Sequence, residues 1–377
     1  MRDKIIQNKI QLKQETSDKF YLAYSEIFPN NPLLKAKLFE YFDFDIQRVF
    51  NSDKKDLDNF VNSYPDISIP RNFLSKLKSV NFDEIYNFYK TNNINYVTFT
   101  DCNYPEPLKN LEDFPVILFY KGDIKQNFNK SIGIVGSRKA TEAAKLNVRQ
   151  IISGFKNTDI VINSGLAAGI DSCSHKAALE FGIKTCAVIG SGLKFKYPSV
   201  NASLYEEIVR QNGVIISEYP YNYSPMPQNF PQRNRIITGL SQGIIIAEAK
   251  LKSGAMISAR FAIEQNKELM CIPGAITNPN CEGIYHLLKT NAASIVTETN
   301  DICNILNWTI NFAKSDLAPM SEIEKNIYDL VTKEEISIEG LKQNLDVGIN
   351  ELVMNLTAME LNGLIIQKNG LYYISGI

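Results

Sequence analysis

Three short segments of this chain place glycine beside a hydroxyl or a cation, the residue types that hold a phosphate: Gly136-Ser137-Arg138, Ser164-Gly165 at the head of a run reaching Asp171, and Gly190-Ser191-Gly192. Glycine lets backbone approach an oxyanion, serine donates a hydroxyl, and arginine adds a permanently charged, bidentate donor. Taken singly, each segment also reads as a tight turn that needs no ligand. Residues 219–235 form a Pro-rich stretch that empties into Arg233-Asn234-Arg235. A loop of that length inside a compact domain is usually functional. Tyr219, Tyr221, Tyr223 and Phe230 could stack on bases while Arg233 and Arg235 take phosphates, the pairing expected of single-strand binding; the other reading packs the aromatics onto a sheet. Leu193–Asn201 repeats the pattern, with Lys194 and Lys196 extending a positive rim beside Tyr197.

Catalytic machinery is harder to assemble. The chain has two histidines, His175 and His286, and no spacing typical of metal ligands. His175 follows Asp171 by four residues, so on a helix the two share a face, and a structural hydrogen-bonded pair is expected. Glu218 and Glu248 are the other acid–base candidates; beside a phosphate they are expected to orient loops or sugar hydroxyls. Neither a Walker A sequence nor a G-x-G-x-x-G fingerprint occurs, which disfavours a P-loop NTPase and a dinucleotide dehydrogenase. The expectation is a binding protein without catalytic residues, metal or cofactor. Lys and Arg total 40 against 41 Asp and Glu, so any nucleic-acid surface must be a local concentration of charge. Six cysteines without C-x-x-C spacing suggest a reduced, cytosolic protein, and no apolar run is long enough for a membrane span or signal peptide.

The elements that position these residues follow from the apolar rhythm. Residues 1–90 lack glycine and carry short helical patterns, giving a small helical domain. Tyr96–Phe99 and Val116–Tyr120 read as strands flanking the edge of the next sheet. Six continuous apolar runs follow: Ile132–Val135, Ile160–Ile162, Thr185–Ile189, Val214–Ile216, Ile244–Ala247 and Leu269–Ile272. Helix-length segments separate them, so the region 91–312 is expected to be a Rossmann-like, doubly wound α/β sheet of parallel strands. Ligands of such sheets sit outside the carboxyl ends of the strands, where the three phosphate-type segments fall. After a break at Ser315–Pro319, residues 318–377 read as three helices, near Ser321–Thr332, Ile338–Leu345 and Ile349–Asn362, then a hairpin turning at Lys368-Asn369-Gly370: a winged helix. Its third helix carries no Lys or Arg, so contact with protein is expected of it rather than reading of duplex DNA.

The ordered set Ile134-Val135-Gly136-Ser137-Arg138, Ser164-Gly165-Leu166-Ala167-x-Gly169-Ile170-Asp171, Gly190-x-Gly192-Leu193 with Tyr197-Pro198, and Phe230-Pro231-x-Arg233-Asn234-Arg235 resembles the bacterial DNA-processing family DprA/Smf over about residues 104–300. The resemblance implies an extended Rossmann fold, commonly dimeric, with an N-terminal domain similar to a sterile-alpha-motif domain. It implies a cytosolic protein that binds and protects incoming single-stranded DNA during natural transformation and loads the recombinase RecA onto it. Arg138 would be the family's phosphate-binding arginine, and a basic DNA contact would fall at Lys194 or Lys196. Two departures stand out: Phe28-Pro29-Asn30-Asn31-Pro32 replaces a Gly-Ile-Gly type hairpin, and Asn291-Ala292 replaces the usual Gly-Ala. The competing readings are a nucleotide-processing enzyme using Glu218 or Glu248, and a nucleotide-sensing module.

Overall fold

The computed structural model describes residues 17–309, 321–333, 335–361, 364–368 and 370–374. The chain divides into two compact units, Met1–Asn311 and Phe312–Ile377. The first opens with six helices: α1 over residues 17–26, α2 (Pro32–Tyr41), α3 (Ile46–Asn51), α4 (Lys54–Ser63), α5 (Phe73–Ser79) and α6 (Phe82–Thr91). Asn and Asp set most of these starts. Asn31 caps α2 ahead of Pro32, Asp45 caps α3, Asp53 and Asp56 form a capping box on α4, and Asn81 caps α6. Each carboxylate or amide oxygen satisfies backbone N–H groups that a helix start leaves without partners.

A nine-stranded sheet follows, in the order β1-β2-β6-β5-β4-β3-β7-β8-β9. Its strands are β1 (Asn95–Thr98), β2 (Ile117–Gly122), β3 (Ser131–Val135), β4 (Val161–Ser164), β5 (Lys184–Val188), β6 (Val214–Ser217), β7 (Gly243–Ile246), β8 (Glu268–Cys271) and β9 (Ser294–Ile295). The six strands expected from the apolar runs are β3 to β8, all parallel to one another; β1 and β2 form an antiparallel edge on β6. The ninth strand is only two residues long, too short to leave a pattern in sequence.

Burial on both faces explains the continuous Ile/Val runs. Ile132, Ile134, Ile245 and Met270 face a core layer with α7 (Glu142–Ser153), α8 (Ile170–Glu180) and α13 (Thr299–Ile305). Val135, Ile244, Ile246 and Leu269 face the opposite layer, with α10 (Asn229–Leu240) and α11 (Gly254–Glu264), a core that extends into the N-terminal helices. The crossover helices α9 (Ala202–Arg210) and α12 (Glu282–Lys289) complete the unit. One expectation changes here: the stretch 219–235 is a loop only as far as Gln228, and Phe230, Arg233, Asn234 and Arg235 lie on α10. Pro231 is tolerated because it sits in the first helical turn, where its missing N–H has no intrahelical acceptor.

The second unit contains α14 (Glu322–Lys333), α15 (Ile338–Asn344) and α16 (Ile349–Leu361) with a three-stranded antiparallel sheet ordered β10-β12-β11: Ile336–Ser337, Leu371–Ile374 and Ile365–Lys368. Its core gathers Ile327, Leu341, Leu352, Leu356 and Met359. The sequence break Ser315–Pro319, Asn362 at the expected end of the third helix, and the turn residue Asn369 lie outside the described residues.

Candidate functional site

From β3 the chain winds one way through β4, β5 and β6, and from β7 the other way through β8 and β9, so the order reverses between β3 and β7. Loops leaving two such strands diverge to opposite faces and open a crevice between them. A cleft of about 270 Å³ lies there. Gly136, Ser137 and Arg138 line it from β3, Ala167 and Asp171 from the start of α8, and Phe230, Arg233 and Asn234 from α10. The turn from β7 into α11 supplies Lys250, Lys252, Ser253 and Gly254, with Ser258 one helical turn further on.

Arg138 is exposed, and its guanidinium lies 5.7 Å from the centre of the Phe230 ring. That ring in turn meets Tyr197, centroids 5.3 Å apart, and Tyr197 is 46% exposed. A cation over an aromatic face is attracted by the ring's quadrupole, and Arg138 forms no ion pair among the described residues. The result is a ladder of one positive charge and two ring faces at the mouth of the cleft.

Deeper in, the polar groups around Ser137 and Asp171 are already engaged. The Ser137 N–H donates to the Glu248 carbonyl at 2.7 Å, and the Ser137 hydroxyl accepts from the Lys139 N–H. The Asp171 carboxylate accepts the backbone N–H groups of Gly165 and Ala167, so the turn after β4 holds a carboxylate where a phosphate was expected. Burial nonetheless pushes the Asp171 pKa above the ordinary value, against the opposing pull of Arg233. Arg233 is itself buried, donating from Nη1 to the carbonyls of Gly165 (2.6 Å) and Val188; desolvation brings its pKa down to about 10. It supports the floor of the cleft, and its Nε has no partner.

Several expected phosphate ligands are committed elsewhere. Ser164 is fully buried and donates to the Ile134 carbonyl at 2.6 Å. A side chain at Gly165 would strike Arg233 and Asp171, one at Gly190 would press on Phe230, and one at Gly192 would strike the Pro220 and Tyr221 carbonyls. These glycines answer to packing within the protein. Arg235, expected to take a phosphate, is 1% exposed and paired with Glu218 (2.8 Å) and Asp113 (2.7 Å), because a buried guanidinium must find carboxylates of its own. Lys194 is exposed, and Lys196 pairs with Glu206 at 2.7 Å. Tyr219 is buried and stacks on Tyr223, whose hydroxyl donates to Asn30, while the Tyr221 N–H donates to the Tyr89 hydroxyl. The tyrosine-rich loop therefore fastens the sheet to the N-terminal helices.

His175 does not pair with Asp171. Its Nδ1 meets the Thr185 hydroxyl at 2.7 Å, and burial lowers its pKa to about 3, so the ring is neutral. Glu248 accepts from the Thr141 hydroxyl (2.7 Å) and from Asn278, which orients loops as expected of it. Sequence reasoning missed Lys250 and Lys252. The rule of inspecting strand ends stopped at Glu248-Ala249, one residue short of a run that again sets cations and serine beside glycine.

A family model described as DNA recombination-mediator protein A matches residues 95–307. The chain belongs to this family. Protein Smf of Escherichia coli is 34% identical over 282 residues, covering 71% of this chain and 74% of its own. The DNA processing protein DprA of Streptococcus pneumoniae is 41% identical over 202 residues, 54% of this chain and 70% of that one. An X-ray structure of DprA from Streptococcus pneumoniae aligns at a TM-score of 0.63 and 32% identity, covering 76% of this chain and 95% of that chain. DprA of Helicobacter pylori, described for its single-stranded DNA binding mode, aligns at 0.50 and 31% identity over 56% of this chain and 95% of its own. The matched span holds the whole cleft, Gly136 to Ser258. Among the described residues no helix is long and apolar enough to cross a membrane, and no cluster of three or more His, Cys, Asp or Glu is placed to hold a metal ion.

Proposed function

We propose that the protein binds single-stranded DNA across this cleft, largely without regard to sequence, and that it protects incoming DNA in natural transformation and delivers it to RecA. The Arg138–Phe230–Tyr197 ladder carries this reading: an exposed guanidinium next to two ring faces offers one phosphate a charged donor, with base stacking beside it. Membership of the recombination-mediator family and the relative from Helicobacter pylori support it. Glu248 and His175, both tied to structural partners, leave the cleft without an evident acid–base pair, which favours binding over turnover. We read the chain as a cytosolic homodimer with a helical domain at 1–90, a Rossmann-like DNA-binding domain at 91–312 and a winged helix at 318–377. In that last domain α16 has no Lys or Arg and leaves Val353 and Met354 exposed, which suits protein contact.

The test is salt-dependent fluorescence anisotropy of a labelled oligothymidylate with the wild type and Arg138→Ala, a duplex of equal length serving as competitor. Tight single-strand binding that weakens steeply with salt, and at least tenfold in the variant, is expected. No binding by the wild type at low salt would overturn the reading.

A further inference from the structure

The turn from β7 into α11 brings an uncapped helix start and two lysines to the cleft. The α11 helix has no acidic residue in its first turn and no side-chain cap at Ser253, so its leading N–H groups have no carboxylate or hydroxyl on them. Lys250 and Lys252 are exposed and have no ion-pair partner among the described residues. Two further observations point to a ligand. Ser258 is fully buried, lines the cleft, and has a hydroxyl without any hydrogen-bond partner. Gly254, unlike Gly136, Gly165 and Gly192, is not required by packing: a methyl group there would meet nothing within 4 Å, and its φ is not in the left-handed region. A glycine that the protein does not need leaves room for something outside it.

The charge in the cleft agrees. Four cations line it, Arg138, Arg233, Lys250 and Lys252, against one carboxylate, Asp171. A single phosphodiester carries one negative charge and would leave this site strongly positive. Resting on the single-strand reading above, we propose that the cleft seats two phosphates of one ligand. Arg138 holds the first, and the α11 N-terminus with Lys250, Lys252, Ser253 and Ser258 holds the second. Backbone N–H groups and the positive end of the helix dipole make that second position an anion seat once no side chain fills it. Two phosphates can come from neighbouring nucleotides of a strand or from the pyrophosphate of a free nucleotide.

The experiment uses the full chain and two variants that spare the fold. Gly254→Ala places a methyl in the open seat, and Lys250→Ala with Lys252→Ala removes exposed charge. Anisotropy with a labelled oligothymidylate is measured across salt concentrations, with Arg138→Ala alongside, and thermal unfolding confirms that each variant is folded. A DNA-filled seat predicts at least fivefold weaker binding for both variants and a log-affinity against log-salt slope flatter by about 0.7 for each phosphate no longer neutralised. If Arg138→Ala weakens binding while both α11 variants match the wild type, the second seat is overturned and the single-strand reading stands. If the wild type binds no oligonucleotide but 5′-ADP raises its melting temperature and fails to raise that of Gly254→Ala, the seat stands with a free nucleotide as its source and the single-strand reading falls. If neither ligand binds, both fall.

Discussion

At the end of β4 the chain turns into α8 through Ser164-Gly165, and at the end of β7 it turns into α11 through Ser253-Gly254; the two junctions border one cleft and have opposite fates. In the first, Asp171 sits in the opening turn of the helix and takes the Gly165 and Ala167 N–H groups, with the Arg233 guanidinium behind it. In the second no acid enters the opening turn, and two lysines precede it. Similar Ser-Gly spelling thus yields a closed junction that braces the fold and an open one that can receive an anion. What separates them is one carboxylate two residues into a helix.

Opening the closed junction should have the largest effect. Asp171→Ala leaves Arg233 buried without its countercharge and strips two backbone N–H groups of their acceptor, so a loss of about 3–5 kcal/mol in urea unfolding is expected. A loss under about 1 kcal/mol, the size of one ordinary hydrogen bond, would mean that the two junctions do not differ as described. The second prediction concerns His175, on the same helix. Its pKa in the folded chain is about 3, against 6.5 when unfolded. Between those values the unfolded chain takes up a proton that the folded chain refuses, so stability is fully present above about pH 6.5 and falls on acidification, by up to about 1.4 kcal/mol per pH unit. His175→Gln should lose less stability than the wild type between pH 7 and pH 5, read from unfolding midpoints. The smallest effect belongs to the open side. Ser258→Ala removes a buried hydroxyl that has no partner, and should raise the stability of the free protein by about 1 kcal/mol. An unchanged or lower midpoint would place that hydroxyl on a partner inside the fold.

The positions of the strands were legible because burial on both faces demands unbroken apolar runs such as Ile132–Val135 and Ile244–Ala247. Gly136-Ser137-Arg138 was legible as a strand-end motif, and Arg138 emerges at the cleft mouth over the Phe230 ring. Arg235 was not legible: its sequence neighbours resemble those of Arg233 and Asn234, yet the helical rotation of α10 turns it toward Glu218 and Asp113. The tyrosines of the 219–223 loop fitted stacking platforms and packing alike, and the structure makes them anchors; their partners Tyr89 and Asn30 lie more than a hundred residues earlier, where local sequence does not show them.

The sequence by itself determined the sheet, the order of its strand-end motifs and the family to which the chain belongs, because these rest on local apolar patterning and contiguous residues. Only the tertiary structure decided which arginine reaches the cleft mouth and which helix start is open. Those outcomes depend on where carboxylates from distant segments come to rest, and an ion pair buried in the fold leaves no mark in the residues beside it.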